Sequence, residues 1–412
     1  MSLRRRIAIE VNFAGWWIIL EVLTAPVQIL AFLVARLLSR VFLVQTMFLI
    51  APHLGHLSAN TDKALTDHSL QERKSGQHIK LFSYLIERRV CNKFLLKLIK
   101  RRTTVVPRWA IIVAVRLNML IPGGKRHDFN DHSDRDVKNL LDRTNPQLSF
   151  TTKEISRGFA TLAKFGLPVD AKFVLLTVRD SAYSSSFIPA NVWPVQNYRN
   201  SSIENYVVAA EELTCRGYYV FRMGAVVERP LITSNPMIID YASNGMRSDF
   251  MDIFLGANCE FCISTGTGFD GVPYIFRRPI LYVNFLPIGL LMTFSEKFLL
   301  ETKTHVWTAT GVRLTLREIF ESHLSSAITS SDYSKAGVTL VENTPQEILD
   351  AVIEMVDRIE GKWIETPAAI ALQRKFWAIY ESCMNPKERA MHGEFRAHYV
   401  SSVIAKDPEW FD

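Results

Sequence analysis

A short run of hydroxyl-bearing residues and glycines is the stretch of this 412-residue sequence best suited to bind a ligand. It consists of Ser264, Thr265, Gly266, Thr267 and Gly268, and it follows an apolar run typical of a buried strand. Open α/β sheets bind ligands at the carboxyl ends of their strands. Backbone N–H groups freed by the glycines, together with the hydroxyls, suit a phosphate or a sugar. Ordinary loops can have the same composition, so the neighbouring residues decide.

Two arginines stand at matching places in the predicted sheet. Arg179 and Arg222 each follow an apolar run at the point where a strand should end. The carboxyl ends of parallel strands share one edge, so we expect both guanidinium groups near the 264–268 turn. Together they would form a diphosphate site, with Asp180 and Asp240 pairing with the arginines and holding them in place. A strand-end arginine can equally form only a surface salt bridge.

His56 is a candidate general base, because imidazole titrates near neutral pH. It lies just after residues 47–51, which we predict to be a buried strand, and Gly55 beside it permits a sharp turn. A solvated loop histidine is an equally good interpretation of the same residues. Asp180 is the second candidate base.

The sequence predicts no metal centre. Asp134 and Asp136 have the form of a carboxylate pair that holds a divalent ion against a diphosphate, but they lie in a polar loop rather than at a strand end. Cys259 and Cys262 lack the second pair that a zinc site needs, and we predict buried thiols. An odd number of cysteines, five, does not favour a disulfide framework.

Strand and helix patterns alternate from residue 151 onward, which predicts a parallel, doubly wound sheet. Capping boxes are predicted at Thr151 with Glu154, at Ser201 with Glu204, and in residues 344–347. The predicted strands are residues 173–178, 218–221, 261–264 and 280–284.

The front of the chain carries the excess positive charge. Residues 1–110 hold 17 Lys and Arg against 6 Asp and Glu, a net charge of +11, whereas the whole chain has +7. A basic, amphipathic helix is predicted over residues 85–102, and a buried strand over residues 109–115. An anionic membrane surface is the expected partner. No aromatic-studded basic groove suggests nucleic acid.

A long apolar stretch, residues 11–35, is interrupted by Asn12, Glu21, Pro26 and Gln28. We predict a bent or interfacial membrane anchor, because Glu21 is costly in hydrocarbon and positive charge flanks both ends. A helix packed on the protein's own core and a true membrane span are the alternatives. The predicted domains are residues 1–44 (this segment), 45–150, 151–362 and 363–412.

Several stretches of sequence between about residues 45 and 365 resemble, in their order along the chain, a bacterial family of glycosyltransferases with the two-domain, GT-B-type architecture. Thr177 departs from the pattern, which has a histidine there. The resembling stretches are Leu54-Gly55-His56-Leu57, Cys91-Asn92-Lys93, Val178-Arg179-Asp180-Ser181, Tyr198-Arg199-Asn200-Ser201, Arg222-Met223-Gly224, Asp240-Tyr241-Ala242, residues 248–255, Thr265-Gly266-Thr267-Gly268, Val272-Pro273 and Glu342-Asn343-Thr344-Pro345.

The resemblance implies an α/β fold of two Rossmann-like, doubly wound domains behind an N-terminal apolar helical segment. The C-terminal domain would bind a nucleotide-sugar donor and the N-terminal one an acceptor, with no metal and no cofactor required. Residues 177–180 are also similar to the His-x-Arg motif of fucosyltransferases, which implies that Arg179 contacts the donor diphosphate with Arg222 assisting.

The expected function is sugar transfer to a glycan, lipid-linked or protein acceptor at the cytoplasmic face of the inner membrane, by a peripheral or anchored enzyme. Two alternatives remain open. A nucleotide-sugar epimerase would turn over the donor without an acceptor, and a non-catalytic binding module would bind it without turnover.

Overall fold

Apolar runs of the sequence become buried parallel strands in the computed structural model of the protein, which describes residues 3–75, 78–85, 89–128, 134–182 and 193–411. The chain divides into two units by its internal contacts. The N-terminal unit comprises Met1–Asp134 and Gln147–Ser149, and the C-terminal unit comprises Arg135–Pro146 and Phe150–Asp412. Residues 1–44 lie within the first unit, and residues 363–412 within the second.

The N-terminal unit contains a parallel sheet in the order β1-β2-β3. Burial alternates along β1, with Leu43, Gln45, Met47 and Leu49 inside, because successive side chains of a strand point to opposite faces. The elements of this unit are α1 (Leu3–Leu37), β1 (Phe42–Leu49), α2 (Thr61–Ser75), β2 (His78–Leu85), α3 (Lys93–Ile99), β3 (Thr104–Val106) and α4 (Ile112–Leu120).

Three predictions for this unit are wrong in type or extent. The first strand begins at Phe42 rather than at residue 47, so residue 44 lies inside it. Within residues 85–102 the helix is only Lys93–Ile99, where the side chain of Asn92 caps the N-terminus; residues 86–88 lie outside the described residues. Residues 109–115 form a turn and the start of α4, because an uninterrupted apolar run has no periodicity that separates a strand from a helix.

The C-terminal unit contains a parallel sheet in the order β12-β9-β8-β7-β4-β5-β6. An antiparallel pair, β10 and β11, stands apart from it. The elements are α5 (Thr152–Lys164), β4 (Phe173–Thr177), α6 (Val207–Cys215), β5 (Tyr219–Arg222), β6 (Ile238–Ile239), α7 (Asp249–Asn258), β7 (Cys262–Ser264), α8 (Gly271–Ile275), β8 (Ile280–Phe285), β9 (Phe298–Thr302), β10 (Thr304–Trp307), α9 (Leu316–Glu321), α10 (Ser330–Lys335), β11 (Val338–Val341), α11 (Pro345–Ile359), α12 (Pro367–Cys383), α13 (Pro386–Arg389), β12 (His398–Tyr399) and α14 (Ser401–Lys406).

Both faces of this sheet are covered. On one face, Leu176 and its neighbours pack against α6 and α11 in a single apolar core. On the other face, the ring of Phe221 lies 5.5 Å from that of Phe165, the residue that follows α5. Each fully buried aliphatic or aromatic side chain contributes about 1.5–3 kcal/mol. The α/β class is therefore confirmed, as parallel sheets in both units and one apolar N-terminal helix.

Two of the three predicted capping boxes are confirmed. Thr151 with Glu154 opens α5, and Thr344 with Glu347 opens α11. The box at Ser201 is wrong, because a short 3-10 turn, Ile203–Tyr206, precedes α6 and no side chain caps it. Ser201 instead lines a cavity.

Gly158 allows close packing between α5 and α7. A Cβ atom at this position would lie 2.1–2.4 Å from three ring carbons of the buried Phe254. Gly→Ala inside a helix ordinarily stabilises by about 1 kcal/mol. We expect Gly158→Ala to destabilise the protein instead, by about 1–3 kcal/mol, because the core cannot take the methyl group. Urea unfolding measures the difference.

The control for this prediction removes the clash. In a Phe254→Leu background, Gly158→Ala should cost less than in the wild type, so a double-mutant cycle isolates the contact. A gain in stability from Gly158→Ala alone would contradict the packing described here.

Candidate functional site

The carboxyl ends of three adjacent strands form the candidate site. Strand β4 lies between β7 and β5, all parallel, with Thr177 paired to Ser264 and Leu176 paired to Arg222. Arg179 therefore leaves the sheet at the same edge as Arg222 and the 264–268 turn. The prediction that these features share one edge is confirmed.

The 264–268 turn satisfies many of its polar groups internally. The Ser264 hydroxyl donates to Asp270 Oδ2 at 2.9 Å and accepts the Gly266 N–H at 3.0 Å. The hydroxyls of Thr177 and Thr267 lie 3.0 Å apart and join the ends of β4 and β7. The Gly266 N–H, which we expected to be free for a ligand, is thus already used. Gly268 is the exposed member of the turn.

The turn instead positions two arginines. The Thr265 hydroxyl accepts the backbone N–H of Arg179 at 2.9 Å, and the Gly266 carbonyl accepts a hydrogen bond from the Arg199 guanidinium. Gly266 has φ +74°, and a Cβ there would lie 2.8 Å from the Phe285 ring. Only glycine combines that conformation with the close approach of the Phe285 ring.

Arg179 and Arg199 form a cationic cluster, and both are half-buried. Burial, and then the positive charge of Arg199, lowers the pKa of Arg179 to about 10. Arg179 donates to Gln196 Oε1 at 3.1 Å, while the Nε atoms of both arginines are buried without a partner. Among the described residues, no carboxylate lies within 4.0 Å of either guanidinium group. Such a pair is suited to an anion.

Arg222 has a different role, because its charge is already compensated. Its side chain is 1% exposed and pairs with Asp240 Oδ1 at 3.2 Å and Asp180 Oδ2 at 3.9 Å. This pairing was predicted and is confirmed for Arg222. Asp240 also accepts the Leu231 N–H at 2.9 Å and a hydrogen bond from Ser243. Arg222 thus fixes the two carboxylates more than it offers charge to a ligand.

The Asp180 carboxylate accepts hydrogen bonds from two separate segments of the backbone. Its Oδ1 accepts the Ala182 N–H at 3.0 Å, and its Oδ2 accepts the Glu228 N–H at 2.9 Å. These bonds orient the carboxylate, and they also occupy part of the lone-pair capacity that a general base needs.

Residues that adjoin the two clustered arginines in the chain line a cavity of about 210 Å³, and neither arginine is among its lining residues. Val178 and Asp180, which flank Arg179, line it together with Asn200 and Ser201, which follow Arg199. The carboxylates that line the cavity can accept hydrogen bonds from the hydroxyl groups of a ligand. The remaining lining residues are mostly charged: Glu204, Arg222, Glu228, Arg229 and Glu342, with Ser202 and Ile203.

A buried lysine supports this cavity. Lys303 is 5% exposed, donates to the Asn200 carbonyl, and lies 3.8 Å from Glu342 Oε1. Burial lowers its pKa. Sequence reasoning gave no role to Lys303 or to Arg199. Arg199 stood in a stretch that resembles the glycosyltransferase family, but it follows no strand and so carried no positional signal.

His56 belongs to the N-terminal unit and is half-buried. The alternative of a solvated loop histidine is wrong, since His56–Asn60 forms a turn of π-helix that continues into α2. His56 Nδ1 lies 3.3 Å from Asn60 Oδ1, a helical neighbour. Its catalytic part stays a prediction.

The remaining polar motifs have structural roles. Arg135 donates to the backbone carbonyls of Leu290 at 2.6 Å and Leu291 at 2.7 Å, and Asp136 accepts the Leu141 N–H at 2.8 Å. Cys259 and Cys262 are fully buried, as predicted, and burial raises the pKa of both thiols. Within the described ranges, no group of three or more His, Cys, Asp or Glu is placed to hold a metal ion.

The buried ion pair between Arg222 and Asp240 predicts that removing the Asp240 charge lowers the stability of the protein strongly. Asp240→Asn would leave the buried guanidinium with only the more distant Asp180, and we expect a loss of about 3–5 kcal/mol. Asp350→Asn is the matched control, because its pair with Lys406 is more exposed and worth at most about 1 kcal/mol. Urea unfolding compares the two. Equal effects would contradict the structural role of Arg222.

Glu301, near the end of β9, predicts that the stability of the folded state depends on pH. It is fully buried, and burial raises its pKa from 4.5 to about 8, with the charges of Glu347 and Asp350 adding to the rise. The folded state thus binds a proton that the unfolded chain releases. The resulting stabilisation is complete below pH 4.5 and is lost as the pH rises through about 8.

Glu301→Gln should therefore flatten the fall in Tm between pH 5 and pH 8.5, measured by calorimetry. Glu296→Gln, at an exposed position, serves as the control. An unchanged pH profile in Glu301→Gln would show that Glu301 is ionised throughout this range.

No family model matches the chain, and none of the curated proteins matches its sequence. Solved structures of glycosyltransferases do match. The ADP-heptose lipopolysaccharide heptosyltransferase II of E. coli is 14% identical over 77% of this chain and 100% of its own, with a TM-score of 0.40. The family 9 glycosyltransferase of Veillonella parvula is 11% identical over 58% and 80%, with a TM-score of 0.33.

The dodecameric, iron-containing heptosyltransferase TibC of enterotoxigenic E. coli, in complex with ADP-D-β-D-heptose, is 8% identical over 77% of each chain, with a TM-score of 0.36. None of these three is a fucosyltransferase. At such identities and TM-scores, the likeness does not establish a common function. The function is therefore inferred from the site itself.

Proposed function

We propose that this chain is a glycosyltransferase that binds a nucleotide-sugar donor at the carboxyl edge of the C-terminal sheet. One observation supports this most strongly. Two half-buried guanidinium groups, Arg179 and Arg199, lie together without a carboxylate partner among the described residues, and their neighbours in the chain line a cavity rich in charged side chains. The arginines would bind the donor diphosphate, and the cavity would accept hydroxyls of the ribose or the sugar.

The same arrangement suits the chemistry of sugar transfer. An acceptor hydroxyl attacks the anomeric carbon, the bond to the diphosphate breaks, and a base removes the hydroxyl proton. Fixed cationic groups stabilise the negative charge that develops on the leaving diphosphate, so the proposed reaction needs no metal and no cofactor. Asp180, at the cavity, and His56, in the N-terminal unit, are the proposed bases.

The other proposed donor ligands have supporting roles. Ser264, Thr265, Gly266, Thr267 and Gly268 would hold the two arginines in place, with Gly268 open to the ligand. Arg222 and Asp240 would shape the cavity wall. The acceptor would be a glycan, a lipid-linked saccharide or a protein, and the reaction would take place at the cytoplasmic face of the inner membrane in a bacterial cell.

Turnover separates this proposal from its two alternatives. A transferase releases the nucleotide only when an acceptor is present, apart from slow hydrolysis. An epimerase would convert the donor without acceptor, and a binding module would leave it unchanged. The clustered arginines support donor binding in all three cases.

Thermal shift with nucleotides and nucleotide sugars tests the donor site. The screen includes GDP, UDP, dTDP, CMP and ADP, with ADP-heptose because one structural neighbour was solved with it. A ligand at a hundred times its Kd adds about 2.7 kcal/mol. Arg179→Ala and Arg199→Ala should each weaken binding at least tenfold, since a hydrogen bond to a charged group contributes about 1.5–3 kcal/mol.

Arg374→Ala is the matched control, because this exposed arginine on α12 carries the same charge and has no place in the site. Its affinity should equal that of the wild type. Binding that is equally strong in Arg179→Ala and Arg199→Ala would refute the donor site.

A further inference from the structure

Helix α1 presents apolar side chains outward and uses polar side chains for docking, the reverse of a helix on a water-soluble surface. Within the described residues, Trp17–Arg40 is the one segment long and apolar enough to cross a membrane, with a mean hydropathy of 2.2. Only 17% of the most apolar 18-residue stretch of this segment is buried in the structure. The buried positions, Glu21, Gln28 and Phe32, recur at helical spacing and form one stripe.

The polar members of this stripe attach α1 to the turn before α4. Gln28 donates to the Trp109 carbonyl at 2.7 Å and accepts the Val113 N–H at 2.9 Å. Thr24 donates to the same carbonyl at 2.9 Å. Glu21 lies 3.7 Å from Arg108 and 3.8 Å from Arg116. Two of the residues that interrupt the apolar sequence, Glu21 and Gln28, are therefore docking contacts.

Further along, Arg36 donates to Asn118 Oδ1 at 3.1 Å and to the Pro122 carbonyl at 2.6 Å. Early residues of α1 thus contact the start of α4, and late residues contact its end. The two helices run side by side in the same direction, and α1 is held from Glu21 to Arg36, about 23 Å along the helix axis.

Both helices of this pair expose apolar side chains. At the end of α4, Met119 and Leu120 are 62% and 81% exposed. Seven large apolar residues of α1 are 54–83% exposed: Ile18, Val22, Leu23, Val27, Leu30, Leu33 and Leu37. A soluble monomer rarely exposes so large an apolar area.

Charge identifies what covers this surface. Arg40, Lys125 and Arg126 are exposed just beyond the C-terminal ends of α1 and α4, within six residues of Leu37 and Leu120 in the chain. Apolar side chains with a basic margin fit the boundary between acyl chains and anionic headgroups. We propose that the α1–α4 face lies in the plane of an anionic bilayer as a one-sided insertion.

The docking contacts argue against a span. Because α1 is bound along its length to residues 108–122, a membrane-crossing α1 would bring that segment into the hydrocarbon. Arg116, whose side chain is 59% exposed, would then lie at membrane depth together with Glu21. Ionised groups are costly there. An in-plane helix keeps the buried Glu21 on the protein side.

Vesicle flotation of the full-length protein tests the proposal, which does not depend on the donor site. We expect flotation with phosphatidylcholine–phosphatidylglycerol vesicles (3:1), weaker flotation with phosphatidylcholine alone, and at least tenfold weaker partitioning for Leu23→Glu/Leu30→Glu. Both leucines are exposed, so this variant should fold. The matched control is Val169→Glu/Ile232→Glu, since these residues are 89% and 85% exposed in the C-terminal unit.

Topology separates insertion from a span. With protein added outside sealed vesicles, protease should remove tags from both termini if α1 lies in the plane, whereas a protected N-terminal tag would overturn the proposal. Flotation that is the same for the leucine variant and the wild type would also overturn it. The proposal would also be overturned if the wild type did not float and instead formed a lipid-free dimer that the leucine variant abolishes. Nucleotide thermal shift of the leucine variant reports on the donor site separately.

Discussion

Two positive charges held together in a half-buried setting are the constraint on which the rest of the C-terminal site depends. Such a pair repels and loses hydration, and the lowered pKa of Arg179 expresses both costs. Each surrounding feature keeps the pair in place: the parallel register of β7, β4 and β5, the Thr265 hydroxyl on the Arg179 backbone, and the Gly266 carbonyl on Arg199. The hydroxyls of the turn and Gly266 position the two cations, and we propose that an anion binds to them.

Sequence patterns were sufficient for the positions that depend on strand ends. Arg179, Arg222 and Ser264 follow apolar runs, and the parallel alternation brings such positions to one edge. The same patterns could not reveal Arg199, because its approach to Gly266 depends on how a loop folds back over the sheet. They also could not show that the Gly266 N–H is already bonded, since a Ser/Thr/Gly turn looks the same whether its donors face inward or outward.

The errors in the N-terminal unit have another cause. Residues 109–115 are apolar without interruption, so their sequence is equally compatible with a strand and a helix. Only tertiary contacts decide between the two. In α1, Glu21 led to the prediction of a bent or interfacial anchor, and in the structure Glu21 and Gln28 are docking contacts. Their partners, the Trp109 carbonyl and Arg108, are more than 80 residues away in the chain. Contacts so distant in sequence cannot be read from local periodicity.

The polar stripe of α1 also links lipid to folding. Covering the outer face with acyl chains would lower the dielectric constant around the Glu21 ion pairs and the Gln28 hydrogen bonds, and would strengthen both. A bilayer that binds only the docked helix acts as a ligand of the folded state. The stability of the N-terminal unit would then be a property of protein and membrane together, and cooperative unfolding of that unit would require release from the lipid.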